Sequence, residues 1–460
     1  MSLLTPVILG AILGTAYVIS VGANDVANAL GTAVGSQALS LKSACVIGAV
    51  FELLGATLVG GKTSTALADK FLNVESFTPA QFSYSMMSAL FGSCIWNIIA
   101  TYQSLPVSST HAIIGSLIAV GIVQDGFVSV GWTEVGETCL SWVLSPAVGM
   151  SVSFCTYTAL SKFVINTEKS LDRAAAVAPI LNAMTVSTVA IFTLIAGPKE
   201  IRVEDWWVIL LTALISFVLS YLLFRLSILP YMQRKGYLTP SMGDGNQFNF
   251  LGGNDPDLDD LSFTAAISFH ESTTESPKLL QSDSDVKHMK PAEYYFVLPM
   301  VMTAASIAFG HGGNDVGNAI GPFSASLYVN DHGDLRGISS HETPILVTFL
   351  GGLGIVLGLI LFGNRVMKTV GENITKLTYS KGFAAQYGAS VAILACTTLS
   401  LPISTTSVLV GSITGVGYVD GGKGVNMTIM KKILWGWIAT LPAAGCCAAL
   451  IYWICKLSGV

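Results

Sequence analysis

Gly22-Ala23-Asn24-Asp25-Val26-Ala27-Asn28-Ala29-Leu30-Gly31 returns, nearly three hundred positions on, as Gly312-Gly313-Asn314-Asp315-Val316-Gly317-Asn318-Ala319-Ile320-Gly321. Each copy sets one Asp and two Asn among small apolar residues. The surroundings make those side chains expensive. Of 460 residues, 52% are hydrophobic and only 11% charged, against roughly 25% charged in a soluble domain. The mean hydropathy is +0.64. A carboxylate inside such a segment marks a functional position, and its duplication points to two related halves meeting around one central site.

Outward from the motif, apolar runs occur near 4–21, 43–61, 84–104, 139–163, 177–197, 206–229, 292–310, 345–366, 382–401 and 433–456. Most have the length, about 18–25 residues, that crosses a bilayer. Two more, near 106–123 and 402–419, open on Pro and Ser/Thr and read as re-entrant hairpins or broken helices. The expected fold is an all-α polytopic membrane protein with about 12 transmembrane segments. It divides into a membrane half over 1–232, a polar, Ser/Asp/Gly-rich linker over 233–290 read as disordered, and a second membrane half over 291–460. The N-terminus lacks the basic region of a cleaved signal peptide.

The halves echo one another elsewhere. Gln103-Ser104-Leu105-Pro106-Val107-Ser108-Ser109-Thr110-His111 recurs as Leu399-Ser400-Leu401-Pro402-Ile403-Ser404-Thr405-Thr406-Ser407. A fainter echo pairs Leu54-Gly55 through Lys62 with Leu357-Gly358 through Arg365. Echoes in one order indicate duplication. Lys and Arg set the orientation. Lys162, Lys169 and Arg173 mark one cytoplasmic loop, Arg365, Lys368, Lys376 and Lys381 another, and Lys423, Lys431 and Lys432 a third, while Arg225, Arg234 and Lys235 flank the linker. The loop of Asp125, Glu134 and Glu137 has no cation and faces outside. Both termini then lie outside, the linker is cytoplasmic and the repeats are inverted. The sequons at Asn373 and Asn426 fall on the cytoplasmic side and are expected to stay unglycosylated.

The Pro-x-Ser-x-Thr runs suit an anion. Pro fits the first turn of a helix, the free N–H groups there carry partial positive charge, and adjacent hydroxyls add donors. Two such tips, with Ser108, Ser109, Thr110, Ser404, Thr405 and Thr406, can surround a tetrahedral oxyanion without a cationic side chain. Buried carboxylates beside an anion repel it unless cations intervene. Asp25 and Asp315, with Asn24, Asn28, Asn314 and Asn318, form a hard-oxygen set suited to sodium; proton carriage by the Asp pair is the alternative. The small residues around them permit close helix approach or local unwinding. Glu52, in the apolar run Val50–Gly55, reads as a cation ligand, a proton site, or the partner of a cation such as Lys62; its counterpart by the faint echo is Ile355. His111 reads as a packing residue and Gln103 as a weaker polar candidate. The eight Cys lack metal-ligand spacing and read as buried thiols. An aspartyl protease would account for two buried Asp but not for the flanking Asn or the hairpins; a passive anion channel is a further alternative, which accumulation of substrate against its gradient would exclude. The net charge of −5 argues against a nucleic-acid partner.

At these residues the chain resembles the inorganic phosphate transporter (PiT) family of sodium- or proton-coupled permeases. The likeness rests on 22–29, 312–319 and the hairpins at 106–110 and 402–406. It implies phosphate at the midplane between the tips, cations near Asp25 and Asp315, no cofactor and no enzymatic activity. Sodium ions, phosphate and the lipid bilayer are the implied partners, the plasma membrane is the expected site, and a homodimer stays open. Members often carry a Glu in the helix before each hairpin; here that helix has Gln386, another candidate for cation binding, and Met86 as the nearest first-half equivalent. Ser407 stands where a His is common. Sulfate as cargo and protons as the driving ion remain alternatives.

Overall fold

The computed structural model describes residues 3–234 (without 37, 104, 106 and 200), 238, 289–338, 343–373, 377–419, 421 and 427–460. Most of the 233–290 linker, Pro106, and the sequon residues Ile374, Thr375 and Asn426 lie outside the described residues, as do the side chains of Asn28 and Lys62. The described chain is helical throughout. In order the helices are α1 Leu4–Asn24, α2 Val26–Gly35, α3 Leu41–Asp69, α4 Pro79–Tyr102, α5 Ser109–Asp125, α6 Trp132–Leu160, α7 Ser170–Ala196, α8 Trp206–Leu223, α9 Leu229–Arg234, α10 Val297–His332, α11 Ile345–Asn373, α12 Tyr379–Thr398, α13 Thr405–Val419 and α14 Met427–Leu457. Ten candidate spans among the described residues are long and apolar enough to cross a membrane. The fifteen-residue α13 is shorter. Helix α8 buries none of its residues, as an apolar helix does when lipid is its solvent.

Local signals start these helices where the sequence places them. Ser40 caps α3 by accepting from the Ser43 N–H at 3.2 Å. Thr78 and Gln81 form a reciprocal capping box ahead of Pro79 on α4. The hairpins have matching ends. Helix α4 closes with Leu105 N–H to Ala100 O at 2.9 Å, and α12 with Leu401 N–H to Cys396 O at 3.0 Å. These are six-residue closures of the kind that reverses a chain. Ser400, with φ 53, takes the left-handed position in the second reversal. Helices α5 and α13 then start on equivalent caps, Ser108 Oγ to the His111 N–H and Ser404 Oγ to the Ser407 N–H, each 3.2 Å.

Helix α1 crosses α11, and α10 crosses α3, at backbone contact. A Cβ on Gly22 would overlap the Ile355 carbonyl, and one on Gly312 that of Glu52. Likewise a Cβ on Gly358 would overlap the Ile19 carbonyl, and one on Gly55 that of Phe309. The pairs are equivalent by the sequence echoes, so the faint Gly55/Gly358 match has a physical cause: both α1–α11 and α10–α3 crossings need glycine on both faces. The small residues therefore serve close approach rather than unwinding. Asp25 keeps helical angles (φ −87, ψ −35) and its N–H bonds Val21 O at 2.8 Å, and α10 runs unbroken through Asp315. Gly358→Ala is expected to lower stability by about 3 kcal/mol, read as a lower melting temperature of the detergent-purified protein, whereas Gly136→Ala, inside a helix with open space at its Cβ, does not lower it.

The cysteines correct an expectation. Cys94 is buried, but Cys139, Cys155 and Cys446 are exposed. In a bilayer an apolar thiol is as well accommodated by lipid as by a protein core, so burial in protein is not required of it.

Candidate functional site

The two hairpin tips meet each other. Thr110 donates its hydroxyl to Ile403 O at 2.9 Å, and Thr406 donates to Val107 O at 3.5 Å. These are the same bond made in both directions between equivalent residues. Ser108, Ser109, Thr110, Ser404, Thr405 and Thr406 are all buried, and the N-terminal turns of α5 and α13, with their unshared N–H groups, come together there.

The Asn-Asp motifs lie against these tips. Asp315 sits halfway along the 36 residues of α10. Its Oδ2 accepts from Thr405 Oγ1 at 3.2 Å. The equivalent bond in the first half runs from the Ser109 N–H to Asp25 Oδ2 at 3.4 Å. Asn318 crosses between halves, its Nδ2 donating to Ser109 Oγ and Thr110 Oγ1 at 3.1 Å each. Asp25 Oδ1, Asp315 Oδ1 and Asn318 Oδ1 are buried oxygens without a hydrogen-bond partner. Carboxylate oxygens of Asp25 and Asp315 approach within 4.8 Å of one another and of a ring nitrogen of His311. Buried polar atoms are almost always satisfied, and here three open acceptors lie beside the hairpin tips.

Three residues proposed from the sequence, Asn24, Asn314 and Gln386, make hydrogen bonds within the fold. Asn24 anchors the first hairpin: its Nδ2 donates to Thr101 Oγ1 (3.1 Å) and Leu105 O (3.0 Å), and its Oδ1 accepts from the Val107 N–H at 3.2 Å. Asn314 repeats part of this, donating to Thr397 Oγ1 at 3.3 Å. Gln386 lies in a separate polar layer, its Nε2 donating to Thr32 Oγ1 at 2.6 Å and its Oε1 accepting from Thr303 Oγ1 at 2.8 Å. Thr303 precedes Asp315 on the same helix by a rise of about 18 Å, so Gln386 is remote from the carboxylates. The Asn contacts also fix the register. Thr101 and Thr397 are equivalent, and Leu90 precedes the first by the interval that separates Gln386 from the second. Leu90, not Met86, is the first-half counterpart.

Glu52 is fully buried, and its partner among the described side chains is His311. Its Oε2 lies 2.8 Å from His311 Nδ1, and Oε1 has no partner. His311 Nε2 lies 2.9 Å from Asp315 Oδ2, one helical turn on, without hydrogen-bond alignment. Sequence reading passed His311 over. The signal available was its place four residues before Asp315, on one face of a helix. Tyr17 was also missed; its buried hydroxyl donates to Ser109 O at 2.7 Å and fixes the start of α5. His111 is a packing residue, its ring centroid 3.9 Å from that of Trp142. Gln103 is exposed.

Known proteins are similar to this chain. The model of a phosphate transporter family matches residues 21–448. A Haemophilus influenzae protein bearing the name phosphate permease is 32% identical over 97% of this chain and 96% of its own. The chloroplastic inorganic phosphate transporter 2-1 of Arabidopsis thaliana is 32% identical over 95% of this chain and 70% of its own. A solved structure described as the sodium-dependent phosphate transporter superposes with a TM-score of 0.78 at 30% identity, over 98% of this chain and 99% of that one. A match over most of the sequence, with the motif, hairpins and helix crossings in place, makes this chain a member of the phosphate transporter family.

Proposed function

We propose that this protein imports inorganic phosphate by symport with sodium. What supports the reading most is the juxtaposition at one point of two helix N-termini rich in hydroxyls and a pair of buried carboxylates with unpartnered oxygens. Sodium, coordinated by Asp25, Asp315 and Asn318, offsets the negative charge that otherwise repels the anion. Phosphate then takes over donors that now hold the tips together, the hydroxyls of Thr110 and Thr406, along with Ser109, Thr405 and the first-turn N–H groups. Ser108 and Ser404 act as caps that hold those N–H groups in place. The hydroxyls are exchanged from protein carbonyls to phosphate oxygens, so substrate binding loosens the bond between halves. That is the property a rocking, alternating-access carrier requires.

The halves 1–232 and 291–460 are inferred to be inverted repeats, with both termini outside and the 233–290 linker in the cytoplasm. Uptake of radiolabelled phosphate into proteoliposomes tests the function. Accumulation above equilibrium is expected with an inward sodium gradient and is lost when choline replaces sodium at fixed pH. Uptake that follows an imposed proton gradient, indifferent to choline replacement, would overturn sodium coupling.

A further inference from the structure

Sodium coordination accounts for the oxygens of this site but not for its imidazole. His311 is 1% exposed, and its two nitrogens face two different carboxylates, Glu52 at 2.8 Å from Nδ1 and Asp315 at 2.9 Å from Nε2. With Nδ1–H donated to Glu52, Nε2 presents a lone pair toward Asp315 Oδ2. Two acceptors at that distance repel unless a cation, a metal ion or a proton on Nε2, lies between them, and this contact lacks the alignment of a hydrogen bond. Asp25 supplies a third ligand atom, all three lying within 4.8 Å of one another. Ligand atoms on a tetrahedral ion at about 2.0–2.1 Å stand about 3.3 Å apart, a spacing within small side-chain adjustments of this one. A carboxylate orienting the remote nitrogen of a ligating histidine is the usual outer support of a metal site. The arrangement is one-sided. By the repeat, the counterparts of His311 and Glu52 are Val21 and Ile355, so the ligand and its supporting carboxylate are present together in one half and absent together in the other.

We propose that Asp25, His311 and Asp315 form a site for a divalent transition-metal ion of the zinc class, oriented by Glu52, in which the metal competes with sodium for the two carboxylates. One nitrogen and two carboxylate ligands with room for a further donor suit zinc, cobalt or manganese; sodium gains little from the imidazole. The competition rests on the sodium site proposed above, while the metal site itself does not.

The test uses the full chain purified in detergent without sodium, with zinc as the probe. Calorimetry is expected to give one tight zinc per chain, and X-ray absorption at the zinc edge to show an imidazole with oxygens near 2.0 Å. His311→Gln is expected to weaken zinc binding by roughly a hundredfold or more, and Glu52→Gln by about 10–100-fold, the loss typical of an outer-shell partner. Zinc held by thiolates at about 2.3 Å, or binding indifferent to both substitutions, overturns the site. Should His311→Gln fail to fold, the absorption spectrum of the unsubstituted protein and Glu52→Gln still decide the matter. Sodium-driven uptake without zinc, measured in parallel, separates the two readings. Uptake that persists while no imidazole-bound zinc forms removes the metal site alone. Imidazole-bound zinc that sodium does not displace keeps the metal site and takes sodium off the carboxylates.

Discussion

Asp25→Asn and Asp315→Asn are each expected to abolish sodium-driven phosphate uptake while the protein still inserts and purifies as a single species. Asparagine keeps the shape of aspartate and an acceptor oxygen for the Ser109 N–H or the Thr405 hydroxyl, so the tips stay in place. The charge is what is lost. An ion pair about 4 Å apart at an effective dielectric near 20 contributes about 4 kcal/mol, and each 1.4 kcal/mol is about tenfold, so sodium affinity falls on the order of a hundredfold to a thousandfold. A second readout has the opposite sign. Two carboxylates whose oxygens come within 4.8 Å in a buried site repel each other when no cation is bound. Each Asp→Asn variant is therefore expected to be more thermostable than the original protein in sodium-free buffer, and to lose the rise in melting temperature that bound sodium would give the original. Normal uptake in both variants, or a sodium-induced rise that survives in both, would remove the cations from these residues.

The parts of this site that were legible in the sequence are the parts that are duplicated. Asp25 and Asp315, and the hairpins with Ser109 and Thr405, stand out because each motif is written twice, and repetition of a costly buried group is informative where one copy is ambiguous. The glycines of the crossings were visible for the same reason. What the sequence left open was the task of each amide. Asn24 and Asn318 occupy opposite ends of related motifs and offer identical chemistry, yet Asn24 anchors its own hairpin and Asn318 reaches the opposite one. Only the packing of α1 and α10 against the tips distinguishes them. Gln386 is similar: the family resemblance marked it as a candidate, but its Thr32 and Thr303 partners come from helices remote in the chain. Glu52 was identifiable as too expensive to be idle. Its partner was not, because His311 lies 259 residues away and neither residue has an echo in the other half to draw attention to it.

That unrepeated pair supplies the other large effect. Glu52→Ile and His311→Val, taken singly, each strand a buried polar partner. Removing one member of a buried, hydrogen-bonded pair costs about 3–5 kcal/mol when the survivor is charged, and about 1–3 kcal/mol when it is a neutral group left unsatisfied. The double variant should behave differently, because the chain already contains its template: Ile355 and Val21 occupy the equivalent positions at the other crossing, and both are fully buried. Replacing both members by apolar groups of similar shape is often close to neutral. The expected order of melting temperatures in detergent is original protein and double variant close together, with both single variants well below, a coupling of about 2 kcal/mol or more in the double-mutant cycle. Additive losses, with the double variant the least stable of the four, would mean that Glu52 and His311 act separately. Sodium-driven uptake by the double variant then separates folding from transport. If Glu52 serves sodium through its unpartnered oxygen, the double variant folds well and transports poorly. A well-folded double variant with full uptake would confine the pair to holding α3 against α10.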